Sequence, residues 1–485
     1  MQNEIKNILN LFNQKQFQKA KAIALNTQNK DNDPQIYLIL GMIQSELNEV
    51  DDAIESIRKS IKIKPINPDA YNNLGTIFNK TKKYDDAILN YKKAIEQKNN
   101  YFQAYFNLGN LYKEKNDLDN AEKFFEKVIG LVPSMLEAYD NLFELYDKSN
   151  QLNKLNNFLT NTKTNLGEIP LVKYFSGIYE YRKKNYLKAI DILESTEFSS
   201  KDFNRNAIKY EILAQSYDAI GKYNKAYKYF VDSNNIFKNV YEKQIDKNYY
   251  IKHVEKRINF FSNNILKGQN SFNIKKKIND PVFLIGFPRS GTTLLDSILR
   301  SHNSIDVLEE KPLVENFIKD LEQKINKDFS KLNNIDENFF SEMREKYFND
   351  RNKYIKFDKD KIYIDKLPLN IVHVAEIFSF FPNSKFILAL RNPYDVVLSC
   401  FMQHFGPNSA MLNFTNLKDT VNLYDLVMSL WLIYFDKFPI KIHTIKYEET
   451  VQNFDHSITE LLRFLELEWS DNVKEYYKTT KKRGI

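Results

Sequence analysis

Apolar positions in the first half of the chain recur with a period of 34 residues. The residues that keep this period are Gly41, Gly75 and Gly109; Ala53, Ala87 and Ala121; and Tyr37, Tyr71, Tyr105 and Tyr139. Within one unit, Tyr71, Leu74 and Phe78 share one face of a helix. Small residues at the glycine and alanine positions allow two antiparallel helices to approach closely. The pattern predicts an all-α solenoid of stacked helix pairs over residues 1–240, with an extended concave face.

The hydrophobic pattern changes after residue 240. Residues 241–280 are predicted to form a helical connector that ends in a polar stretch. A short apolar run at 281–285 predicts a buried parallel strand. It is followed by a glycine-bounded loop, Gly286 to Thr293, and then by apolar residues at helical spacing. Strand, loop and helix in this order predict a P-loop-type α/β domain with a parallel sheet over 281–485.

The loop has the features of an anion site. Its backbone N–H groups would converge on an oxyanion at a helix N-terminus, and Arg289 would add a forked, charge-assisted contact. Nucleotide hydrolases have Gly-Lys-Ser/Thr where this chain has Gly291-Thr292-Thr293. Because the absent lysine normally reaches the β- and γ-phosphates, the loop favours a nucleotide with a short 5′ anionic group over a triphosphate.

A second apolar run, Phe386 to Leu390, ends at Arg391, and Ser399 lies eight residues after that arginine. The metal-binding strand of a P-loop hydrolase would end in aspartate. A strand that ends in arginine suits a phosphate group instead. We therefore expect a second phosphate contact at this point and no metal.

Together these motifs resemble the PAPS-dependent sulfotransferases, especially tyrosylprotein sulfotransferases and bacterial proteins that join tetratricopeptide repeats to a sulfotransferase domain. PAPS is 3′-phosphoadenosine-5′-phosphosulfate, and the 34-residue unit resembles the tetratricopeptide repeat. The resemblance implies that Arg391 and Ser399 hold the 3′-phosphate and that Tyr447 approaches the nucleotide. It implies that the 5′-phosphosulfate is bound by Pro288, Arg289, Ser290, Gly291, Thr292 and Thr293.

The resemblance also implies the catalytic residues. The base glutamate of similar enzymes lies 21 residues after the loop arginine, which is Glu310 here, and the adjacent Glu309 is the alternative. Lys366 and Arg289 would stabilise charge on the transferring group. Cytosolic sulfotransferases use a histidine base, but the nearest candidate, His302, ends the helix after the loop, where packing or capping is expected.

The expected activity is transfer of a sulfuryl group from PAPS to an acceptor hydroxyl. The resemblance favours a protein tyrosine, and a carbohydrate or small hydroxylated molecule is the alternative. The repeat face is expected to bind a peptide or protein, although it could serve as a rigid spacer. The rival hypotheses are a P-loop kinase and a non-catalytic repeat adaptor with a nucleotide-binding domain. Similar proteins continue beyond the position of Ile485 into a segment that closes over the nucleotide, so the sulfotransferase domain is expected to lack that segment.

Composition narrows these hypotheses only modestly. With 70 Lys and Arg against 63 Asp and Glu, the net charge is +7, which permits an anionic ligand but is weak evidence for nucleic acid binding. The single cysteine, Cys400, excludes a disulfide within the chain and is predicted to be a small buried residue. Residues 1–12 lack a signal-peptide pattern, and no apolar run is long enough for a membrane span. A cytoplasmic location is therefore expected.

Overall fold

The computed structural model describes residues 2–27, 32–265, 280–356 and 358–478. Two compact units divide the chain, Met1–Phe175 and Ser176–Ile485. The predicted connector is described only as far as residue 265 and again at residue 280. The predicted domain boundaries at 240 and 280 stay predictions.

The first unit consists of helix pairs joined by short turns. Its helices are α1 (Gln2–Asn13), α2 (Phe17–Asn26), α3 (Pro34–Glu46), α4 (Val50–Ile63), α5 (Pro68–Lys80), α6 (Tyr84–Gln97), α7 (Phe102–Glu114), α8 (Leu118–Leu131), α9 (Leu136–Lys148) and α10 (Leu152–Leu166). A Cβ atom on Gly75 of α5 would lie 2.7 Å from the ring of Tyr91 on α6. The recurring glycine therefore sets how closely the two helices of a pair approach.

The turn inside each helix pair also repeats. In the turn between α1 and α2, Lys15 has a left-handed backbone with φ 59°. The corresponding residues of later turns are Asn48, Lys82, Asn116, Asn150 and Lys184, with φ between 55° and 63°. They follow one another at intervals of 34 residues. Asparagine tolerates this conformation better than most residues with a side chain. The period read from the sequence therefore extends to the backbone conformation of the turns.

The second unit begins within a helix and contains four more before its sheet. These helices are α11 (Pro170–Arg182), α12 (Tyr186–Glu194), α13 (Phe203–Ala219), α14 (Tyr223–Tyr241) and α15 (Asn248–Phe261). The Arg257 side chain of α15 is fully buried and donates from Nε to Glu376 over 2.8 Å and from Nη2 to Glu322 over 3.0 Å. A buried arginine needs such partners, so α15 is anchored in the same core as the sheet.

The sheet has five parallel strands in the order β2-β3-β1-β4-β5. The strands are β1 (Val282–Gly286), β2 (Ile305–Glu309), β3 (Ile362–Lys366), β4 (Lys385–Leu390) and β5 (Lys441–Lys446). The helices of this region are α16 (Thr292–Arg300), α17 (Leu313–Lys324), α18 (Glu337–Asn352), α19 (Val374–Phe380), α20 (Pro393–Phe401), α21 (Leu417–Lys437), α22 (Tyr447–Gln452) and α23 (Phe454–Phe464). Short 3-10 helices complete the connections.

Both faces of the sheet are covered by apolar side chains. Phe283 and Ile285 of β1 pack into one buried cluster. Val282 and Leu284 of the same strand pack into another. Because successive residues of a strand point to opposite faces, the domain has three layers. The predicted fold class, an all-α repeat followed by an α/β domain with a parallel sheet, is confirmed.

The strand register places the carboxyl ends of all five strands at one edge of the sheet. Gly286 at the end of β1 pairs with Ala389 of β4, and Glu309 at the end of β2 pairs with Lys366 of β3. In open α/β sheets, ligands bind at this edge. The predicted site residues in the loop after β1, at the ends of β2 and β3, and after β4 and β5 therefore lie at the same edge of the sheet.

Candidate functional site

The loop after β1 is confined by its neighbours on both sides. A Cβ atom on Gly286 would lie 2.7 Å from the carbonyl oxygen of Ala389 in β4. Gly291 has φ 95°, in the left-handed region, and a Cβ there would lie 2.9 Å from the Tyr447 ring. Gly291 precedes α16, whose first backbone N–H groups have no intrahelical acceptor. Residues 288–293 therefore lead into a helix N-terminus, which is the arrangement that an anion site requires.

Arg289 links the loop to the second predicted phosphate contact. Its Nε donates a hydrogen bond to Ser399 Oγ on α20 over 2.9 Å, and its backbone is left-handed with φ 70°. An arginine in this conformation is strained unless its surroundings hold it there. The sequence assigned Arg289 and Ser399 to different phosphates, whereas the structure joins their side chains directly.

Cys400 lies beneath the loop rather than in the site. Its Sγ donates to the carbonyl oxygen of Pro288 over 3.3 Å, and its side chain is fully buried. Burial raises the pKa of the thiol to about 12, so it stays protonated at neutral pH. The prediction of a small buried residue is confirmed.

Arg391 follows β4 and has a donor without an acceptor. Its guanidinium lies 4.9 Å from the centre of the Tyr447 ring, and its Nη2 is 3.6 Å from Asp395. Its Nε is buried and has no hydrogen-bond partner among the described residues. Buried donors are nearly always satisfied, so this atom fits an anionic ligand beside Tyr447.

Glu448 supports the turn that carries Arg391, and the sequence analysis missed this role. Its Oε1 accepts a hydrogen bond from the backbone N–H of Asn392 over 2.8 Å. That hydrogen bond lowers the pKa of the Glu448 carboxyl. Two consecutive residues, Tyr447 and Glu448, thus hold the turn after β4 from the side of β5.

The predicted base and the predicted lysine are in direct contact. Lys366 Nζ lies 2.6 Å from Glu310 Oε1 and 3.4 Å from Glu309 Oε1. The Lys366 side chain is 1% exposed, whereas that of Glu310 is 55% exposed. The backbone N–H of Glu310 also donates to the carbonyl oxygen of Lys366 over 2.8 Å. A buried ammonium therefore neutralises a carboxylate that remains accessible to a substrate.

His302 serves the turn after α16. Its Nδ1 accepts from the backbone N–H of Ser304 over 3.1 Å, so its proton lies on Nε2. That nitrogen is 3.1 Å from the carbonyl oxygen of Glu468, to which it donates. Both ring nitrogens are occupied by backbone groups, which agrees with the packing role expected from the sequence.

The site residues therefore form two groups on either side of β1. Arg289, Ser399, Arg391 and Tyr447 lie on the side of β4 and β5, and the Glu310–Lys366 pair lies on the side of β2 and β3. A small pocket beside the loop is lined in part by Ser290, Gly291, Leu294, Ile445 and Tyr447. Across the described residues, no cluster of His, Cys, Asp or Glu side chains is arranged to hold a metal ion. The described helices include none that is long and apolar enough to cross a bilayer.

The fold defines a helical-repeat protein with an α/β domain, and the site residues form a candidate anion site at the carboxyl edge of its sheet. Residues 281–471 match the model of the sulfotransferase family. Residues 75–116 match one tetratricopeptide-repeat model, and residues 34–67 and 102–134 match another. The chain therefore contains tetratricopeptide repeats within residues 34–134 and a sulfotransferase-family domain over residues 281–471.

Several known proteins are similar to parts of the chain. A protein of Aquifex aeolicus that is described only as uncharacterized is 33% identical over 210 residues, which are 41% of this chain and 27% of that protein. The C-terminal part of a repeat-containing protein of Cytophaga hutchinsonii is 17% identical, with a TM-score of 0.39 over 48% of this chain and 95% of that one. Pseudomonas aeruginosa PilF is 17% identical, with a TM-score of 0.34 over 43% of this chain and 92% of that one. YrrB, described as a repeat protein with an unusual peptide-binding site, is 17% identical, with a TM-score of 0.30 over 38% of this chain and 93% of that one.

Proposed function

We propose that the protein transfers a sulfuryl group from PAPS to the hydroxyl group of an acceptor, with a protein tyrosine as the favoured acceptor. The observation that carries this proposal is the contact between buried Lys366 and exposed Glu310 at the ligand-binding edge of a sulfotransferase-family domain. It supplies a general base and a positive charge side by side. Sulfuryl transfer requires both.

The residues of the site fit PAPS better than a nucleoside triphosphate. The loop 288–293 offers a helix N-terminus and Arg289 to a 5′ phosphosulfate, but no lysine for a γ-phosphate. Arg391 offers a buried Nε beside Tyr447 that has no hydrogen-bond partner in the described ranges, which suits the additional 3′-phosphate. We assign Ser399 to the same phosphate, since it lies on the helix that follows Arg391.

The reaction assigns one role to each group. Glu310 removes the proton from the acceptor hydroxyl, and the acceptor oxygen forms a bond to sulfur in line with the leaving phosphate. The bond between sulfur and the bridging oxygen breaks, and 3′-phosphoadenosine-5′-phosphate (PAP) leaves. Lys366 and Arg289 stabilise the negative charge that develops on the sulfuryl and bridging oxygens.

The repeats are the proposed means of selecting the acceptor. Tetratricopeptide repeats suggest peptide or protein binding, and a stack of repeats has an extended face for such a ligand. A protein acceptor would bind to that face. The cytoplasmic location stays a prediction.

The donor is tested first, by calorimetric titration of the full chain with PAP, AMP and ADP without metal. We expect PAP to bind at least about tenfold more tightly than AMP, because a charge-assisted hydrogen bond contributes about 1.5–3 kcal/mol. Equal affinities would contradict a 3′-phosphate site. Transfer from ATP that depends on magnesium would support a P-loop kinase instead.

The base is tested with a matched pair of variants, Glu310→Gln and Glu309→Gln. Both residues contact Lys366, but only Glu310 is assigned as base. We expect Glu310→Gln to lower transfer of labelled sulfate from PAPS about 10²–10⁴-fold while PAP affinity stays nearly unchanged, and Glu309→Gln to retain most activity. The reverse order would transfer the assignment to Glu309. Tight PAP binding without transfer to any peptide, carbohydrate or small phenol would support a non-catalytic adaptor.

A further inference from the structure

The last predicted repeat unit, α13 and α14, contacts the end of the helix that carries Ser399. The Phe401 ring at the end of α20 stacks on Tyr227 of α14 at 5.8 Å between centroids. Asn234 Nδ2 of α14 donates to the carbonyl oxygen of Phe401 over 2.9 Å, in a buried position. Because Ser399 lies two residues before Phe401 and accepts from Arg289, one short helix joins the repeat helices to the anion-binding loop.

A hydrogen-bonded chain around His404 completes this contact. Ser233 Oγ of α14 lies 2.6 Å from the carbonyl oxygen of Ala207 and 3.1 Å from His404 Nε2. A carbonyl oxygen only accepts, and a serine hydroxyl has one proton. Ser233 therefore donates to Ala207, and His404 Nε2 must carry the proton that it donates to Ser233. With this proton on Nε2, Nδ1 of the neutral His404 ring has a lone pair and needs a hydrogen-bond donor.

Glu211 of α13 faces that second nitrogen. Its Oε2 lies 3.4 Å from His404 Nδ1. An ionised carboxylate and an imidazole nitrogen with a lone pair are both acceptors, and two acceptors repel each other at this distance. One further proton must therefore lie between them, on the carboxyl group or on the imidazole. The geometry requires this proton whichever of the two groups holds it.

Within the part of the chain that the structure describes, the hydrogen bonds around the pair bring no second proton donor to Nδ1. Glu211 Oε1 accepts from Gln215 Nε2 over 3.2 Å, and Gln215 Oε1 accepts from the hydroxyl of Tyr181 on α11 over 2.5 Å. Phe237 of α14 stacks on the His404 ring at 5.3 Å. Burial raises the pKa of Glu211 to about 7 and lowers that of His404. The shared proton is therefore held near neutral pH and is lost at more alkaline pH.

We infer that Glu211 and His404 form a proton-dependent latch that holds α20 against the last repeat unit and positions Ser399 for the 3′-phosphate of the donor. When the shared proton leaves, the two acceptors repel each other, the contact opens, and α20 loses a support next to Ser399. Glu211 and His404 are positioning residues, since they act through α20. Their effect on donor affinity depends on the proposed function, whereas their effect on the order of α20 does not.

Glu211→Gln is the variant that separates this latch from a merely structural contact. Its amide can donate to His404 Nδ1 through Nε2 and accept from Gln215 through Oε1, so it reproduces the protonated state at every pH. We expect wild-type PAP affinity to fall between pH 6.5 and pH 9 at least about fivefold more than that of Glu211→Gln. The titration of PAP itself is common to both proteins and cancels in this comparison. Identical pH profiles would overturn the proposal.

A second measurement does not depend on the donor. Amide hydrogen exchange of α20, corrected for the intrinsic pH dependence of exchange, should show lower protection at pH 9 than at pH 6.5 in the wild type. In Glu211→Gln the corrected protection should stay constant. If PAP does not bind but the protection of α20 still depends on pH in the wild type and not in Glu211→Gln, the proposed donor is rejected and the latch is retained. Equal protection of α20 at both pH values in the wild type would reject the latch even if PAP binds.

Discussion

Glycine has different physical roles in the repeats and in the α/β domain. In the repeats, Gly41 and Gly75 lie inside helices, where a Cβ atom would meet a side chain of the paired helix at 2.5 Å and 2.7 Å. After β1, a Cβ on Gly286 would meet a backbone oxygen at 2.7 Å. A side chain can change its rotamer, but the backbone of a central strand cannot move without disturbing its neighbours. The repeats should therefore tolerate changes that the loop does not.

The two regions also differ in which residues adopt a left-handed backbone. In the turns of the repeats three are asparagines, Asn48, Asn116 and Asn150, which suit that conformation, and three are lysines, Lys15, Lys82 and Lys184. At the candidate site they are Arg289 and Glu310, with φ 70° and 49°. Neither residue type favours it, but the proposed chemistry needs both side chains. Strain is thus relieved at the asparagine turns of the repeats and retained at the site, as expected where function restricts the choice of residue.

The comparison of glycines predicts that replacing Gly286 has the largest effect on stability. Gly286→Ala places a methyl group against the carbonyl oxygen of Ala389, and we expect it to lower the free energy of unfolding by about 3 kcal/mol or more. Gly75→Ala meets the Tyr91 ring, which can shift, and alanine regains about 1 kcal/mol of helix propensity. We expect a net loss of at most about 2 kcal/mol and unchanged PAP affinity.

Urea unfolding and PAP titration of both glycine variants test this difference. A cost for Gly75→Ala as large as that for Gly286→Ala would show that the packing of the repeats is as rigid as the sheet. Loss of PAP binding in Gly75→Ala, with the α/β domain still folded, would contradict the separation of the two roles.

The Nε of Arg391, which has no hydrogen-bond partner among the described residues, leads to the prediction of the next largest effect. Arg391→Ala removes a donor that we assign to the 3′-phosphate, so PAP affinity should fall about 10–100-fold while AMP affinity changes little. Arg463→Ala, on the exposed side of α23 and paired with Glu460, is the matched control. Titration with both nucleotides measures the ratio of the PAP and AMP affinities. Equal weakening of PAP and AMP binding would show that Arg391 does not contact the 3′-phosphate.

Asp365 is expected to make the stability of the folded protein depend on pH in a way that exposed carboxylates do not. It is fully buried in β3, where its Oδ2 accepts from the Tyr347 hydroxyl over 2.7 Å, and its Oδ1 has no hydrogen-bond partner among the described residues. Burial raises its pKa from 3.8 to about 7. Since the folded state binds the proton more tightly, the stabilisation is full below pH 3.8 and is lost as pH rises through about 7.

Asp365→Asn reproduces the protonated carboxyl at every pH. The variant should exceed the wild type by about 1–2 kcal/mol at pH 8, because structural relaxation limits the cost of burying the charge, and the gap should narrow at pH 5. Urea unfolding at the two pH values measures it, and the exposed Asp360→Asn serves as control. A gap that widens toward pH 5 would show that Asp365 is ionised in the folded protein.

Local patterns predicted most of the fold, and long-range contacts limited the prediction of the site. The 34-residue period and the apolar runs before Gly286 and Arg391 are local signals, and each corresponds to the observed elements. Strand β2 was missed, because Asp306 and Glu309 interrupt the apolar pattern of a short edge strand.

Contacts between distant residues had no such signal. The hydrogen bond from Arg289 to Ser399 spans 110 residues. The bond from Asn392 to Glu448 spans 56. Periodicity reports which face of an element is buried, but not which distant side chain meets it. The site residues were therefore predicted one by one, and only the structure shows which of them contact each other.

The smallest expected effect on stability is at the left-handed turns of the repeats. It tests whether backbone strain in these turns can be removed without losing stabilising side-chain contacts. Lys82 and Asn116 occupy the same turn position in neighbouring units, with φ 59° and 58°, and both are exposed. Because asparagine tolerates this backbone better than lysine, Lys82→Asn should raise the free energy of unfolding by about 0.5–1 kcal/mol. Asn116→Lys should lower it by a similar amount, so that the double variant matches the wild type in urea unfolding. If both single variants lower the stability, side-chain contacts of the turn outweigh backbone strain. The repeats would then resemble the candidate site, where strained residues are retained because their side chains are needed.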